Sequence, residues 1–331
     1  MIDLPQIVRF PRLIAVAVAL LAIPATAQAA PRVSIFYYPW YGTPAADGTF
    51  QHWAQRGHLP PETIASNYWP ARGIYSSSNR LVLGSQMTEI RQAGISEIVV
   101  SWWGRGSPED ARLPDVIAAA RAQGLLVSVH IEPYGGRTVA STEADILALH
   151  ALGIWTFYVY RPADLPLEEW APMNDELPAD VRVLAQTGLV GQALRGHFDG
   201  VYTYDVYTYG AESFPRLCAQ ARVAGLLCFP SVGPGYDARR GSGDPRVKPR
   251  RDGGTYDAMW QAAIASRADV VTITSYNEWH EGTQIEPAAP ARRLGGYRYL
   301  SYDGAWGLHG VAARRAYLDR TADWARTFRP R

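Results

Sequence analysis

The stretch ITSYNEWHEGTQIEP, residues 273–287, places Glu278, Glu281 and Glu286 with Asn277 and His280 directly after the apolar run ADVVTITS. Carboxylates this close repel one another and are costly to dehydrate. The cluster is either a solvated acidic turn or a set of acids placed for chemistry. Glu278 and Glu281 are the leading pair. Cleaving a glycosidic bond takes one carboxylic acid to protonate the leaving oxygen. It also takes a second carboxylate to attack, to activate water or to activate a neighbouring hydroxyl. Glu-x-x-Glu alone is common on solvated helices; its place beyond a buried strand gives it weight. Like-charge proximity raises the pKa of one member, which suits a general acid.

Other residues with chemical capacity stand after other apolar runs. Glu132, in HIEPY, either holds sugar hydroxyls or forms a salt bridge with Arg137 or Arg161. His130, two residues earlier, shares its strand face and is either a ligand or a core histidine. His52, in FQHW, either binds a hydroxyl or caps the loop. Tyr41, Trp102, Trp103, Tyr202, Tyr204, Tyr236 and Asn277 complete the expected binding set. The chain holds 11 Trp and 19 Tyr, and such rings serve cores but also stack on sugar faces. There is no His-Glu-x-x-His and no paired-cysteine motif, so no metal is expected. A Gly-x-Ser-x-Gly elbow is also missing, which argues against a serine hydrolase.

Strands must present these side chains. Short runs rich in Val, Ile, Tyr and Phe recur at 32–40, 96–104, 125–133, 154–162, 199–207, 225–233 and 269–279, and read as strands buried on both faces. GYRYLSYDG, 296–304, is the remaining candidate for an eighth. Helical patterns alternate with them, one ending at Gly124 and another opening with a Ser141 cap and closing at Gly153. The alternation predicts a parallel sheet, and the length fits a single-domain (β/α)8 TIM barrel with its active site at the C-terminal ends of the strands. No Gly-x-Gly-x-x-Gly turn supports a dinucleotide fold. Longer loops are expected at 42–79, 233–253 and 279–296. The second carries Arg239, Arg240, Arg246, Lys248, Arg250 and Arg251 and reads as a flexible flap or a solvated loop.

The formal net charge is +1, from 32 basic and 31 acidic side chains, which gives no footprint for nucleic acid. Residues 1–29 read as a signal peptide: Arg9 and Arg12, then LIAVAVALLAI, then an Ala-x-Ala site with cleavage expected after Ala29. An uncleaved anchor is the alternative. The barrel domain is then 30–331, secreted or periplasmic, with no membrane association once the peptide is removed. Cys218 and Cys228 form either a bridge, which an oxidising compartment permits, or two buried thiols.

The motifs FYYPWYG, DGTFQHW, SWWG, HIEPYGGR, DGVYTYDV, PSVGPGY and TSYNEWHEGTQIEP run in order over residues 33–290. In combination they resemble the endo-α-1,2-mannosidases and mannanases of glycoside hydrolase family 99. The resemblance implies a (β/α)8 barrel, retaining endo-acting hydrolysis of an α-mannoside glycan, and no cofactor. It implies that Glu278 deprotonates the substrate's own 2-hydroxyl to close a 1,2-anhydro sugar, and that Glu281 is general acid and then base. It places Tyr41, His52, Trp103, Glu132 and Tyr204 near the sugar, with Tyr202 the competing choice for the last. Two alternatives stay open: a carbohydrate-binding protein on a catalytically silent barrel, and a glycosidase acting on another α-glycan.

Overall fold

The computed structural model describes residues 33–330. The expected signal peptide and its cleavage site lie outside the described residues. Eight βα units follow one another: β1 Val33–Tyr37, α1 Arg80–Gln92, β2 Glu97–Trp102, α2 Pro108–Ala122, β3 Leu126–Ile131, α3 Val139–His150, β4 Thr156–Val159 and α4 Leu167–Glu176. The second half runs β5 Arg182–Gln186, α5 Val190–Arg195, β6 Gly200–Tyr202, α6 Phe214–Val223, β7 Leu227–Phe229 continued by Ser231–Val232, α7 Gly254–Ala265, β8 Val271–Ile273 and α8 Ala316–Thr327.

All barrel pairings are parallel, each strand beside its sequence neighbour. Closure depends on Pro230. A proline cannot donate to a ladder, and β7 changes partner there. Leu227–Phe229 pairs with β6, and Ser231–Val232 pairs with β8. The Pro230 carbonyl still accepts from the Thr272 N–H, 3.1 Å. β8 then pairs with β1, Ile273 opposite Ile35, so no edge remains.

Two sequence expectations about strands change. RVLAQ is a barrel strand, β5, with Val183, Leu184 and Ala185 buried. Its apolar core is three residues long and starts at an exposed arginine, too little for periodicity to register. GYRYLSYDG is not the eighth strand. Tyr297–Tyr299 instead pairs antiparallel with Arg292–Leu294 outside the barrel. Gly295 and Gly296, both at positive φ, make that two-residue hairpin turn.

Helix ends follow local chemistry. The cap of α3 is Thr138 rather than Ser141: the Ser141 N–H donates to Thr138 Oγ1, and the Thr138 N–H donates to Ser141 Oγ, both 3.0 Å. Ser141 is therefore the reciprocal half of a capping box.

Period-two alternation sorts the barrel interior into layers. Lowest is Glu97, which accepts from Ser34 Oγ, Ser128 Oγ (2.5 Å) and Tyr158 Oη (3.4 Å). Above it lie Phe36, His130 and Tyr202. Their ring centroids are 4.9 Å apart for Phe36 and His130, and 5.9 Å for Phe36 and Tyr202. The next positions up, Tyr38, Glu132 and Tyr204, reach the mouth.

Cys218 on α6 and Cys228 on β7 are bridged, with Cα atoms 5.2 Å apart. The bridge closes a loop of 10 residues, for which chain-entropy arguments give about 2–3 kcal/mol of stabilisation. Replacing both cysteines by alanine should lower the unfolding free energy by about that amount, read from the urea midpoint at unchanged slope. A midpoint equal to that of the oxidised protein would mean the bridge constrains nothing.

Candidate active site

The segment after β8 folds back on itself. The Ser275 N–H donates to the Thr283 carbonyl (3.0 Å), and the Ile285 N–H donates to the Ser275 carbonyl (2.9 Å). The Tyr276 N–H makes the last backbone rung to β1, at the Phe36 carbonyl. Beyond it the side chain of Asn277 takes over. Its Oδ1 accepts from the Tyr38 N–H (2.8 Å), and its Nδ2 donates to the Tyr38 carbonyl (2.9 Å). Tyr41 spans the next step, its hydroxyl donating to the Asn277 carbonyl (2.9 Å) and accepting from the Trp279 N–H (3.0 Å). Glu278 lies between two pinned residues, and its own N–H donates to Ser275 Oγ.

The two leading acids have unlike surroundings. Glu278 is 5% exposed, and its Oε2 accepts from the Tyr204 hydroxyl at 2.5 Å. Tyr204 is in turn hydrogen-bonded to the Tyr38 hydroxyl. Glu281 is half-buried, and no described residue hydrogen-bonds its carboxylate. Burial pushes Glu278 well above the usual carboxylate range, the charge of Glu281 adds to this, and the Tyr204 and Tyr38 hydroxyls pull it back. Burial also raises Glu281, to about 8, with Asp205, Glu132 and Asp244 adding and Arg246 opposing.

Glu132 faces the same mouth. Its Oε1 accepts from Ser101 Oγ (2.7 Å) and lies 3.0 Å from His130 Nδ1. Neither arginine weighed as its partner reaches it: Arg137 donates to the Tyr160 and Arg161 carbonyls, and Arg161 pairs with Asp164. Trp103, 38% exposed, is the open indole at the end of β2. The ring of His52 stacks on Trp40, centroids 4.4 Å apart, and its Nδ1 accepts from Gln55. His52 holds φ near 60°, and its carbonyl receives His280 Nε2 at 2.6 Å.

Several expected binders sit elsewhere. Tyr41 and Asn277 are buried, and their polar groups are committed to the backbone behind the acids. Trp102 alternates with Ser101 and so faces the helix layer, where its indole donates to Asp110 (2.9 Å) at the start of α2. Tyr202 lies one layer down with its hydroxyl on His130 Nε2 (2.9 Å), which takes both side chains below the mouth. Tyr204 rather than Tyr202 meets Glu278. Tyr236 stays beside the acids: its hydroxyl donates to Asp244 (2.8 Å) in a hairpin of Tyr236–Asp237 against Val247–Lys248, the Asp237 N–H donates to the Glu281 carbonyl, and the charge of Glu281 acts on the Tyr236 phenol.

That hairpin divides the basic run: Arg239, Arg246 and Arg251 are exposed, as a solvated loop requires, while Arg240 and Arg250 pack inward. Arg250 lies within 4.8 Å of the Tyr68, Tyr302 and Tyr317 ring centroids and donates to the Gly282 and Gln284 carbonyls. Arg240 covers Tyr297, and Arg246 covers Tyr207 while pairing with Asp244. Aromatic faces hold these three cations, whereas Arg239 pairs with Asp237 and Lys248 donates to the Val206 carbonyl. Among the described residues no three His, Cys, Asp or Glu side chains gather as a metal site.

The expected binding set left out Tyr38, Ser101 and the electrostatic partners of Glu281, namely Asp205 and Arg246. The alternation Ser34, Phe36, Tyr38 was the available signal for Tyr38. The third glutamate of the motif, Glu286, is structural. It accepts from Arg72 Nε (2.7 Å) and from Gln86 Nε2, Tyr75 Oη and Trp279 Nε1 (each 2.8 Å) with no exposed surface.

A protein-family model, "Glycosyl hydrolase family 99", matches residues 30–171 and 182–330. The chain is 32% identical over 352 residues to a glycoprotein endo-alpha-1,2-mannosidase-like protein of Danio rerio, covering 89% of this chain and 78% of that protein. It is 30% identical over 351 residues to the glycoprotein endo-alpha-1,2-mannosidase of Mus musculus, covering 88% and 74%. The solved GH99 endo-alpha-mannosidase of Bacteroides thetaiotaomicron superposes with a TM-score of 0.81 at 28% identity, over 90% of this chain and 97% of that one.

Removing the Glu286 carboxylate would leave Arg72 with Glu89 as its one remaining carboxylate partner and would take the buried acceptor from Gln86, Tyr75 and Trp279 at once. Glu286→Ala should therefore cost about 3–5 kcal/mol in a urea unfolding titration. A loss below ~1 kcal/mol, the range of a solvent-exposed pair, would contradict the structural role.

Proposed function

The chain belongs to glycosyl hydrolase family 99, and from that premise we propose that it is a retaining, endo-acting α-mannosidase that cuts internal linkages of an α-mannoside glycan. The observation that carries the reading is the unequal hydrogen bonding of two carboxylates on one pinned turn. Two neighbouring acids in a dry site share one proton at working pH. Donors favour the ionised form. Tyr204 and Tyr38 therefore draw the charge to Glu278, and Glu281, without donors, keeps the proton. Glu278 is the base and Glu281 the acid.

An α-mannoside carries its 2-hydroxyl trans to the leaving oxygen, on the face from which carbon one is attacked. Glu278 takes the proton of that hydroxyl as its oxygen closes on carbon one, and Glu281 protonates the departing glycosidic oxygen. The product of the step is a 1,2-anhydro sugar and a free leaving glycan. Glu281, now ionised, takes a proton from water as the water attacks carbon one. Glu278 returns its proton to the 2-oxygen. Two inversions give net retention. Glu132 accepts from sugar hydroxyls, which must be paired when buried, and the open face of Trp103 stacks on a ring. His52, held by Trp40 and His280, borders the cleft. Tyr41 and Asn277 act by holding the acids. Export is part of the proposal, supported by the N-terminal pattern and by a disulfide that suits an oxidising compartment.

Digestion of α-1,2- and α-1,3-linked manno-oligosaccharides, with and without terminal glucose, should release oligosaccharide from internal bonds, with the α-anomer first in a proton NMR time course. Release of single terminal residues, or the β-anomer first, would refute endo action or retention. Glu281→Gln should lower kcat ~100-fold or more while oligosaccharide binding persists. Binding by the unaltered protein without any turnover would favour the silent-barrel alternative.

The pH profile follows from the signs. Glu281 must be protonated, and its raised pKa of about 8 lets activity persist through neutrality and fall as pH rises through that value. Glu278 must be ionised, and its elevation above the ordinary range places the acidic limb of kcat/KM higher than a free carboxylate would. A profile still flat two units above neutrality would remove Glu281 as the acid.

A further inference from the structure

Tyr38 reaches the mouth beside Tyr204, and its hydroxyl has a defined task. A phenol carries one proton. That of Tyr204 is committed to Glu278 Oε2 at 2.5 Å. The hydrogen bond between the two tyrosine hydroxyls must then be donated by Tyr38. The two hydroxyls form a chain polarised in one direction, toward the carboxylate, and donors in series strengthen one another.

The chain is built into the barrel ends. The Tyr38 backbone is clasped on both its N–H and its carbonyl by Asn277, the residue before Glu278. The Tyr204 N–H donates to Ser231 Oγ (2.8 Å), and its carbonyl accepts from Thr274 Oγ1 (2.9 Å). The Tyr204 backbone sits at φ near 52°, a conformation that costs energy for a tyrosine and persists because its surroundings hold it. The ends of β1, β6, β7 and β8 thus converge on the orientation of one O–H.

We propose that Tyr38 is a positioning residue that acts through Tyr204 to keep the negative charge on Glu278, and so decides which of the two acids is the base. The proposal rests on the mannosidase reading above. The ionisable groups facing this chain are Glu278, Glu281 and Glu132. His130 and Tyr160 pack on the Tyr204 ring, at centroid distances of 5.1 and 5.2 Å. Glu281 and Glu132 raise Glu278; among the described residues the side-chain hydroxyl bonded to its carboxylate is that of Tyr204, with Tyr38 behind it.

The test compares the unaltered protein with Tyr38→Phe, Tyr204→Phe and the double variant. Phenylalanine keeps the ring that packs 4.6 Å from Trp40 and removes only the donor. Tyr38→Phe should shift the acidic limb of kcat/KM upward by about half a pH unit, ~3-fold at a fixed acidic pH. Tyr204→Phe should shift it further, and the double variant should match Tyr204→Phe, because the effect passes through that hydroxyl. Superposed profiles for Tyr38→Phe and the unaltered protein, or multiplicative effects in the double variant, would overturn the proposal.

A second measurement does not depend on turnover. Carbon-13 titration of the glutamate carboxyls, with Glu278 assigned through Glu278→Gln, should show the Glu278 midpoint rising in Tyr38→Phe; an unchanged midpoint refutes the role. Absence of mannoside hydrolysis by the unaltered protein would instead refute the functional reading and leave this titration to judge Tyr38. Should Tyr38→Phe fail to fold, difluorotyrosine at position 38, a stronger donor, should move the Glu278 midpoint downward, a sign that packing alone does not produce.

Discussion

The site depends on one amide. β1 outlasts its ladder with β8: the backbone rung at Phe36 is the last, because the chain after β8 turns away to form the acidic loop. The N–H and carbonyl of Tyr38 would then be buried without partners, at a cost of about 1–3 kcal/mol each. Asn277 supplies both, one acceptor and one donor at the end of a short side chain. The carboxylate of aspartate has the acceptor and lacks the donor; leucine has neither. The pairing solves a packing problem and a chemical one together, since the residue that completes the strand is joined covalently to Glu278. Tyr41 closes the next link, from the Asn277 carbonyl to the Trp279 N–H. Every later property of the acids, from their burial to the donor on Glu278, presupposes that this turn keeps its shape.

Three glutamates within nine residues end in three environments, and donor count separates them. Glu286 receives four donors, one of them a guanidinium, and holds the loop to α1. Glu278 receives the phenol of Tyr204, itself backed by Tyr38. Among the described residues, none donates to Glu281. Burial raises all three above the ordinary carboxylate range, so burial alone does not distinguish them. What distinguishes them is which form the neighbours reward. Four donors fix a charge permanently. One polarised chain favours a charge that is still able to accept a proton. No donor at all leaves a carboxyl that gives its proton up only when something basic arrives.

Much of this was legible in the sequence. The acidic motif stood at a strand end, the alternation of apolar runs and helical patterns announced a barrel, and the ordered motifs named the family. What escaped did so for identifiable reasons. β5 has three buried apolar residues, and GYRYLSYDG has a better strand pattern than β5, so pattern strength ranked them in the wrong order. Trp102 and Trp103 look alike as a pair, yet period two sends one to the helices and leaves the other at the mouth. Tyr202 and Tyr204 share a face, and only depth along the strand separates a core phenol from one that touches Glu278. Within the basic run the sequence did not separate Arg240 and Arg250 from their exposed neighbours, because their partners, Tyr68, Tyr297, Tyr302 and Tyr317, come from segments far away in sequence.

The interior of a barrel of this kind is ordinarily filled by branched aliphatic residues. The layers beneath this mouth are aromatic and polar instead: Glu97 with its serine and tyrosine donors, then Phe36, His130 and Tyr202. The difference follows from what lies above. An aliphatic floor would support the Tyr204 ring by contact but exert no preference over which way a hydroxyl points. The imidazole of His130 lies nearly parallel to that ring, 29° between planes, and Phe36 meets it edge-on at 87°. Quadrupole geometry therefore fixes the ring on two sides, and the remaining freedom, rotation of the O–H, is settled by the Glu278 carboxylate, a stronger acceptor than the neighbouring phenol of Tyr38. Orientation at the mouth is thus a property assembled from the bottom of the barrel upward, and the catalytic proposal draws on it at each layer.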